Sequence, residues 1–322
     1  MERENNSISI IVCSFNASLE DILLTLISSL KQDASDKQII YCDDGSKNNY
    51  RAEIEDFFQK SNFKNFTLVF NKENQGTVKN IASGLNEVRH KYVKVIGAGD
   101  AFYSPSTCKD IVLFMEENDL DYAFSSSVFF YEKDELLTFN VRQPSLESVY
   151  ELGKQNYAKI KKNLMIYNDF ILGAALFYKT VTFKKSLDKL LGKIIYEEDA
   201  IVAESIINGA KIAHYPHYGV YYEYGSGIST TPNKKFLELL MKDKLELFSY
   251  IHKETPNKFS KKALKLAKVM DDGKKAQLKR TLIAPSKLSY KLKQRKSNKK
   301  QKETPDYGFY KLLKEEVKKY GL

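Results

Sequence analysis

The sequence predicts an α/β fold: a mostly parallel sheet with helices on both faces, followed by a basic helical extension. In the first hundred residues, short apolar runs alternate with amphipathic helical patterns. The apolar runs end in small, polar or acidic residues, which favours a ligand site at one edge of the sheet. The charge is uneven. Residues 253–322 hold 22 lysines and arginines against 7 acidic residues, whereas residues 1–252 hold 29 basic and 34 acidic residues.

Four strands and three helices alternate at the start of the chain. This β-α-β-α-β-α-β order predicts parallel pairing through right-handed crossovers. Ser18 precedes the first helix and is a suitable N-cap, with Asp21 at the third helical position. The predicted strands span 8–13, 38–44, 66–71 and 92–97, and the predicted helices span 18–30, 48–60 and 76–89.

The middle of the chain predicts further strands. The segment 122–141 has the pattern of a hairpin that turns at 132–135, and 173–183 has the pattern of a single strand. His214 and His217 have a spacing that could bind a metal. Without nearby cysteines, however, alternate packing on a strand is favoured.

Bulk properties exclude several classes of protein. The 322 residues contain no run of 18 apolar residues, so no transmembrane helix is expected. The first residues lack the apolar region of a signal peptide. Three cysteines, an odd number, fit a reducing cytosol, and we expect a cytoplasmic location. Cys13 and Cys42 both end predicted strands and are expected close together as small buried thiols.

Known nucleotide and hydrolase motifs do not occur at the strand ends. The first strand is followed by CSFNAS and not by G-x-G-x-x-G, which excludes a dinucleotide-binding fingerprint. The chain also has no P-loop motif and no G-x-S-x-G elbow. Four polar strand ends remain as the candidate site, namely 13–16, 43–46, 71–76 and 97–100.

Six segments occur in an informative order. They read SIIVCSFN, YCDDGS, NQGTVKN, VIGAGDAFYSP, YEEDAIVAESIINGAKIAHYP and VYYEYGSGIST. In this order the chain resembles the family 2 glycosyltransferases, which have the Rossmann-like GT-A fold. The resemblance implies a transferase domain at 1–231, with a nucleotide half at 7–100 and an acceptor half at 101–231. Residues 232–322 are not covered and form the predicted extension.

The resemblance places a metal ligand at the end of the fourth strand. The family often has Asp-x-Asp-Asp there, whereas this chain has Gly97-Ala98-Gly99-Asp100. The resemblance implies that Asp100 ligates Mn²⁺ or Mg²⁺ and that Gly99 lies beside the nucleotide sugar. Such cations often use one or two carboxylates together with phosphate and water. The alternative is that Asp100 is an N-cap or turn residue.

The resemblance also implies a uridine site. Asp43 would accept a hydrogen bond from the uracil imide, and Asp44 would lie near the ribose. Both aspartates also suit an Asx turn in DDGS, an alternative that the sequence leaves open. The further nucleotide-sugar-binding residues that the resemblance implies are Ser14, Phe15, Asn16, Asn74, Gly76, Lys79 and Asn80. Phe15 also suits the core, and Lys79 also suits a solvated helix face.

Three successive acids supply the candidate base. Ile201, Val202 and Ser205 predict a helical core stripe, so the acids at 197–199 lie at the start of that helix. The resemblance implies that Asp199 accepts the proton of the acceptor hydroxyl, with Glu198 as the alternative base. A cluster of carboxylates raises their pKa values toward a useful range. The structural alternative is that acids at a helix start are favoured by the helix dipole.

The function expected from the resemblance is inverting transfer of a hexose. The donor would be a nucleotide sugar, taken here as a UDP-sugar, used with a divalent cation. The acceptor would be a hydroxyl of a surface glycan, a lipid-linked oligosaccharide or a glycoprotein glycan. The alternative is a catalytically lapsed protein that binds nucleotide sugars or interacts with partners, because GAGD keeps only one acid of the metal motif.

The extension has its own pattern. Residues 234–253 predict an amphipathic helix, and 257–270 and 276–296 are lysine-rich with interleaved apolar residues. Residues 294–306 predict a linker. This composition suits an anionic membrane surface, so we expect peripheral association with the inner face of the cell membrane. Nucleic-acid binding is disfavoured by the lack of a motif, and a subunit contact is the remaining alternative.

Overall fold

The structure is a computed structural model of the 322-residue chain. It describes residues 6–132, 136–139, 143–224, 234–270, 273–298 and 304–321. The described strands are β1 (Ile8–Ser14), β2 (Lys37–Asp43), β3 (Phe66–Phe70), β4 (Tyr92–Gly97), β5 (Ala101–Phe102), β6 (Tyr122–Glu132), β7 (Leu136–Phe139), β8 (Leu176–Lys179) and β9 (Ile212–Glu223). They form one sheet in the order β3-β2-β1-β4-β8-β6-β9-β5, with β7 paired to β6.

The described helices flank this sheet and continue into the extension. They are α1 (Leu19–Leu30), α2 (Arg51–Lys60), α3 (Thr77–Leu85), α4 (Thr107–Glu117), α5 (Tyr157–Lys162), α6 (Thr180–Leu190), α7 (Glu198–Ile207), α8 (Lys234–Glu254), α9 (Lys258–Ala267), α10 (Lys274–Ile283), α11 (Ser286–Asn298) and α12 (Gly308–Lys318). Ser18 caps α1 as predicted, because its side chain accepts the Asp21 N–H at 3.1 Å.

The first four strands pair in parallel, which confirms the predicted α/β fold. Ile10, Ile11 and Val12 of β1 are fully buried, since helices cover both faces of the sheet. Cys13 and Cys42 are direct neighbours across β1 and β2, and both are free thiols. Because the strands are parallel, their carboxyl ends lie at one edge. We call the loops there, residues 14–16, 43–46, 71–76 and 97–100, the polar edge.

The second half of the sheet is mixed. β8 runs antiparallel to β4 and β6, and β9 runs parallel to β6. The strand predicted at 173–183 is too long, because a turn precedes β8 and Thr180 begins α6. Phe183, Leu187 and Leu190 recur at helical spacing and are buried, so the helix is the better way to cover this part of the core.

Two other predictions in this half concern local pairing. β6 and β7 form the predicted hairpin, with Glu132 opposite Leu136, while turn residues 133–135 lie outside the described part of the chain. His214 and His217 lie on β9 as expected, and the ring of His214 stacks on Phe124 with centroids 4.8 Å apart.

The extension is helical and returns to the domain. Tyr310, Leu313 and Val317 of α12 are buried. Lys314 of the same helix lies 2.7 Å from the carboxylate of Glu20 in α1. The predicted segment 276–296 divides into α10 and α11 because Pro285 disfavours helical geometry at the residue before it.

Two predicted boundaries in the extension have different outcomes. The linker predicted at 294–306 starts too early, since α11 continues to Asn298; its lysines, glutamine and arginine are good helix formers. The domain boundary predicted at 231 lies outside the described residues. Among the residues that are described, no helix combines the length and apolarity needed to cross a bilayer.

Candidate active site

The loops after β1 and β2 are tied to each other at the polar edge. The Asn16 N–H donates to the Ser46 hydroxyl at 2.7 Å, and the Asn16 side chain accepts the Lys47 N–H at 3.1 Å. Ser46 in turn donates to both oxygens of Asp43, from its N–H at 2.8 Å and its hydroxyl at 2.5 Å. Phe15 stands beside this network with 42% of its surface exposed, so it is an edge residue and not a core residue.

Asp44 braces the loop after β3. Its buried carboxylate accepts the N–H groups of Gln75 at 3.0 Å and Gly76 at 2.9 Å, and its own N–H donates to the Ser14 carbonyl. Asn74 also accepts the Gly76 N–H, at 3.0 Å. Gly76 has φ +91°, a conformation that L side chains rarely adopt, so glycine is required at this turn. Asp44 therefore connects three of the four loops.

The two residues of α3 that were predicted to bind the nucleotide sugar, Lys79 and Asn80, differ in their exposure to solvent. Asn80 is buried; its side chain donates to the Cys42 carbonyl at 3.2 Å and accepts from Asn71 at 3.1 Å. Lys79 is exposed on the first turn of the helix. Asn80 thus fastens α3 to β2, and Lys79 is the member of the pair that faces solvent.

Asp100 ends a turn that α1 holds in place. The Thr25 hydroxyl accepts the Gly99 N–H at 3.0 Å and donates to the Asp100 carbonyl at 2.7 Å. Burial raises the pKa of Asp100 to about 8, although the positive charge of Lys94 and the Glu223 N–H act in the opposite direction. A neutral carboxyl is therefore favoured until a positive charge approaches it.

The metal-ligating groups available at this position fit a cation that binds together with a diphosphate. Asp100 offers one carboxylate, and among the described residues no three His, Cys, Asp or Glu side chains are placed so that together they could hold a metal ion. Mg²⁺ and Mn²⁺ are commonly held by one or two carboxylates plus substrate phosphates and water. A bound cation would also favour the ionised carboxylate of Asp100, against the effect of its burial.

Lys94 is a buried charge that the sequence analysis missed. It lies on β4, is fully buried, and donates to the carbonyls of Leu176, at 3.1 Å, and Ala174. Burial lowers its pKa to about 7, while the negative charges of Asp100 and Glu198 raise it. The available signal was a lysine between two valines in a strand predicted to be covered on both faces.

Three carboxyl groups, Glu197, Glu198 and Asp199, form what we call the acid cluster at the start of α7. Burial is the main cause that raises the pKa of each of them, and neighbouring acids raise it further. The Glu198 carboxyl lies directly against Gly173, where an added Cβ would come within 2.0 Å of its Oε1. Glycine at 173 therefore leaves the space that Glu198 occupies.

The structure brings the acid cluster to the polar edge. The Ile195 carbonyl, two residues before the cluster, accepts the Val78 N–H of α3 at 3.0 Å. The negative charge of Glu198 contributes to the raised pKa of Asp100, so these two groups interact electrostatically. The polar edge and the acid cluster thus lie near each other, although Asp100 and Glu198 are about 100 positions apart in the sequence.

This fold is that of the GT-A class of nucleotide-sugar-dependent enzymes. The chain matches the family model "Glycosyl transferase family 2" over residues 9–191, and it belongs to that family, as the resemblance predicted. The matched residues include the polar edge and end before the acid cluster.

The individual relatives have low sequence identity to this chain. The chain is 25% identical over 224 residues to a cholesterol galactosyltransferase of Borreliella burgdorferi, a match that covers 66% of this chain and 58% of that protein. It resembles the structure of S. aureus TarS 1–349 in complex with UDP, with a TM-score of 0.56, 14% identity, and coverage of 97% and 91% of the two chains. It also resembles the mannosyltransferase PcManGT from Pyrobaculum calidifontis in complex with GDP-Man and Mn²⁺, with a TM-score of 0.55, 11% identity, and coverage of 98% and 85%.

Proposed function

We propose that this protein transfers a hexose from a UDP-sugar to an acceptor hydroxyl with inversion at the anomeric carbon. The main support is that the acid cluster lies beside the polar edge, where Glu198 and Asp100 interact electrostatically. The polar edge would hold the donor. Asp43 and the exposed Phe15 would contact the uracil ring, and the loop held by Asp44 would lie at the ribose and phosphates. Ser14, Asn16, Asn74, Gly76, Lys79, Asn80 and Gly99 would form or support the same donor site.

In this proposal Asp199 is the base, and Glu198 is the alternative. Asp199 removes the proton of the acceptor hydroxyl, whose oxygen then forms a bond to the anomeric carbon. The bond between that carbon and the phosphate oxygen breaks, and its electron pair leaves with UDP. A Mn²⁺ or Mg²⁺ ion held by Asp100 would offset the negative charge of the leaving diphosphate. The Mn²⁺ complex of the distant mannosyltransferase supports this choice of cation.

A thermal-shift screen tests donor binding. The protein is heated with UDP, UDP-galactose, UDP-GlcNAc or GDP-mannose, each with and without Mn²⁺. A true ligand at about 100 times its Kd adds ~2.7 kcal/mol of stability. We expect uridine compounds to stabilise most, and Mn²⁺ to increase the effect.

The Asp100→Ala variant tests the cation. It should lose the Mn²⁺-dependent part of UDP binding and keep the rest. UDP affinity that is indifferent to Mn²⁺ in the wild type contradicts the cation proposal. Donor binding without transfer to any acceptor in a panel of glycans and glycolipids supports the catalytically lapsed alternative.

We also propose that α10 and α11 contact an anionic membrane, which would place a lipid-linked acceptor within reach. Leu278 and Leu282 of α10 are 63% and 73% exposed, and Leu288 and Leu292 of α11 are 58% and 61% exposed. Burial lowers the pKa of Lys287 to about 8, and the positive charges of Arg280 and Lys291 lower it further. Exposed leucines among clustered cations suit an anionic bilayer surface. The name of the Borreliella relative, which indicates a lipid acceptor, agrees with this proposal.

Vesicle sedimentation tests the membrane contact. The full chain should sediment at low salt with vesicles of phosphatidylcholine and phosphatidylglycerol but not of phosphatidylcholine alone, and added salt should release it. Leu282→Glu should weaken sedimentation severalfold, whereas Leu312→Glu, at a 46% exposed position of α12, should not. Failure of the wild type to bind anionic vesicles at low salt favours a subunit contact for this surface.

A further inference from the structure

A buried carboxylate of the extension holds the segment that leads into the acid cluster. Asp243 of α8 has 3% of its surface exposed. It accepts the N–H groups of Ile195 at 3.1 Å, Tyr196 at 2.7 Å and Glu197 at 3.1 Å. These three successive N–H groups precede the first turn of α7. Hydrogen bonds to a carboxylate are stronger than those between neutral groups, so the three bonds together hold this segment in place.

The segment that Asp243 holds also touches the polar edge. The Ile195 carbonyl accepts the Val78 N–H at 3.0 Å, and an added Cβ at Gly76 would come within 2.4 Å of the Ile195 side chain. The backbone at 195 is therefore fixed on one side by α3 and on the other by α8. A shift of this segment would move the start of α7 relative to the polar edge.

The next residue of α8 makes a second link to the acid cluster. Lys244 lies 3.1 Å from the Glu197 carboxylate, and both side chains are mostly buried. The positive charge of Lys244 opposes the rise in the pKa values of Glu197 and Asp199. Two consecutive residues of one helix thus contact the backbone and a side chain of the same short segment.

We propose that Asp243 is a positioning residue, which sets the start of α7 and thereby aims the Asp199 carboxylate at the acceptor hydroxyl. The inference rests on the proposed function, since it takes Asp199 as the base. It makes α8 part of the active-site architecture, although α8 lies outside the residues that match the family. A misplacement of about 1 Å at a reacting group costs roughly a hundredfold in rate.

The test compares Asp243→Asn with Glu246→Gln in the 322-residue chain. Asparagine keeps the size of the side chain but replaces one acceptor oxygen by a donor group and removes the charge. Glu246 is exposed on the same helix, so its variant removes an equal charge without touching the segment. We measure UDP release from UDP-galactose and UDP-GlcNAc with Mn²⁺, and the Kd of UDP. Asp243→Asn should lower kcat ten- to a hundredfold with UDP affinity within about twofold, and Glu246→Gln should match the wild type.

Hydrogen exchange of the peptide that covers 195–197 gives a second readout that does not need turnover. These amides should exchange at least tenfold faster in Asp243→Asn, while amides of β1 and β2 keep their wild-type rates. Unchanged exchange at 195–197, or wild-type kcat, overturns the inference. An equal loss of kcat and UDP affinity overturns it as well, since it indicates a general structural role. Absence of UDP binding by the wild type contradicts the proposed function and is distinguishable from these outcomes.

Discussion

The polar edge and the acid cluster are stabilised in different ways. At the polar edge, side chains such as Asp43 and Asn16 bond to the backbone or to one another within loops that follow parallel strands. The acid cluster depends on distant parts of the chain: Gly173 leaves the space that the Glu198 carboxyl occupies, and Asp243 accepts N–H groups of the segment before α7. Burial also raises the pKa of each carboxyl group in the cluster. We infer that changes at the polar edge will mainly alter donor affinity, whereas changes at the acid cluster will mainly alter turnover.

Asp199→Asn should give the largest fall in kcat and the clearest difference between its effects on kcat and on UDP affinity. An amide cannot accept the proton, so kcat should fall by about 10²–10⁴. UDP affinity should stay within about twofold, because the loops of the polar edge are untouched. Steady-state transfer assays and calorimetry with UDP measure the two quantities. Near wild-type turnover would remove Asp199 from this role and indicate Glu198 as the base.

Asp44→Asn should show the opposite pattern. The asparagine amide cannot accept both N–H groups of the loop at 75–76, and the loss of a bond to a charged group costs about 1.5–3 kcal/mol. UDP should bind about 10- to 100-fold more weakly, while kcat at saturating donor changes by less than about threefold. A selective fall in kcat would break the distinction between the two regions.

The pH dependence should report the acid cluster. Burial and the Glu198 charge raise the pKa of Asp199 to about 7. The base must be ionised, so kcat should be level above this pKa and fall about tenfold for each pH unit below it. The Asp199→Asn variant serves as the control, and its remaining kcat should not show this fall below pH 7. A kcat that is level down to pH 5 would contradict a buried carboxylate base.

Gly173→Ala should give the smallest effect. The added methyl group would collide with Oε1 of Glu198, which is the end of a flexible side chain, so the protein should fold while that carboxyl moves. We expect kcat to fall severalfold, with UDP affinity unchanged. Gly308→Ala is a control on glycine loss at a second position without a positive φ, the first residue of α12, where the atoms nearest to an added Cβ belong to the Asp306 side chain, at 3.3 Å and beyond. Equal effects of both substitutions on kcat would show that Glu198 is not the cause.

The elements of residues 7–100 could be predicted closely because their signals are local. Apolar runs of strand length, the Ser18 cap and polar residues after each run lie within a few positions of one another. The family resemblance then supplied the expected roles of Asp43, Asp100 and Asp199. The strand predicted at 173–183 failed because a short apolar run does not distinguish a strand from a buried helix, and packing decided between them.

The sequence by itself determined the alternating α/β order, the location of the polar residues at the strand ends and the acids at the start of α7. The tertiary structure alone decided that Lys94 is buried and interacts electrostatically with Asp100 and Glu198, and that Asp243 of α8 holds the segment before the acid cluster. The physical reason is separation along the chain. Periodicity and capping depend on neighbouring residues, whereas burial of a charge and hydrogen bonds between residues 46–48 positions apart exist only once the helices and the sheet have packed.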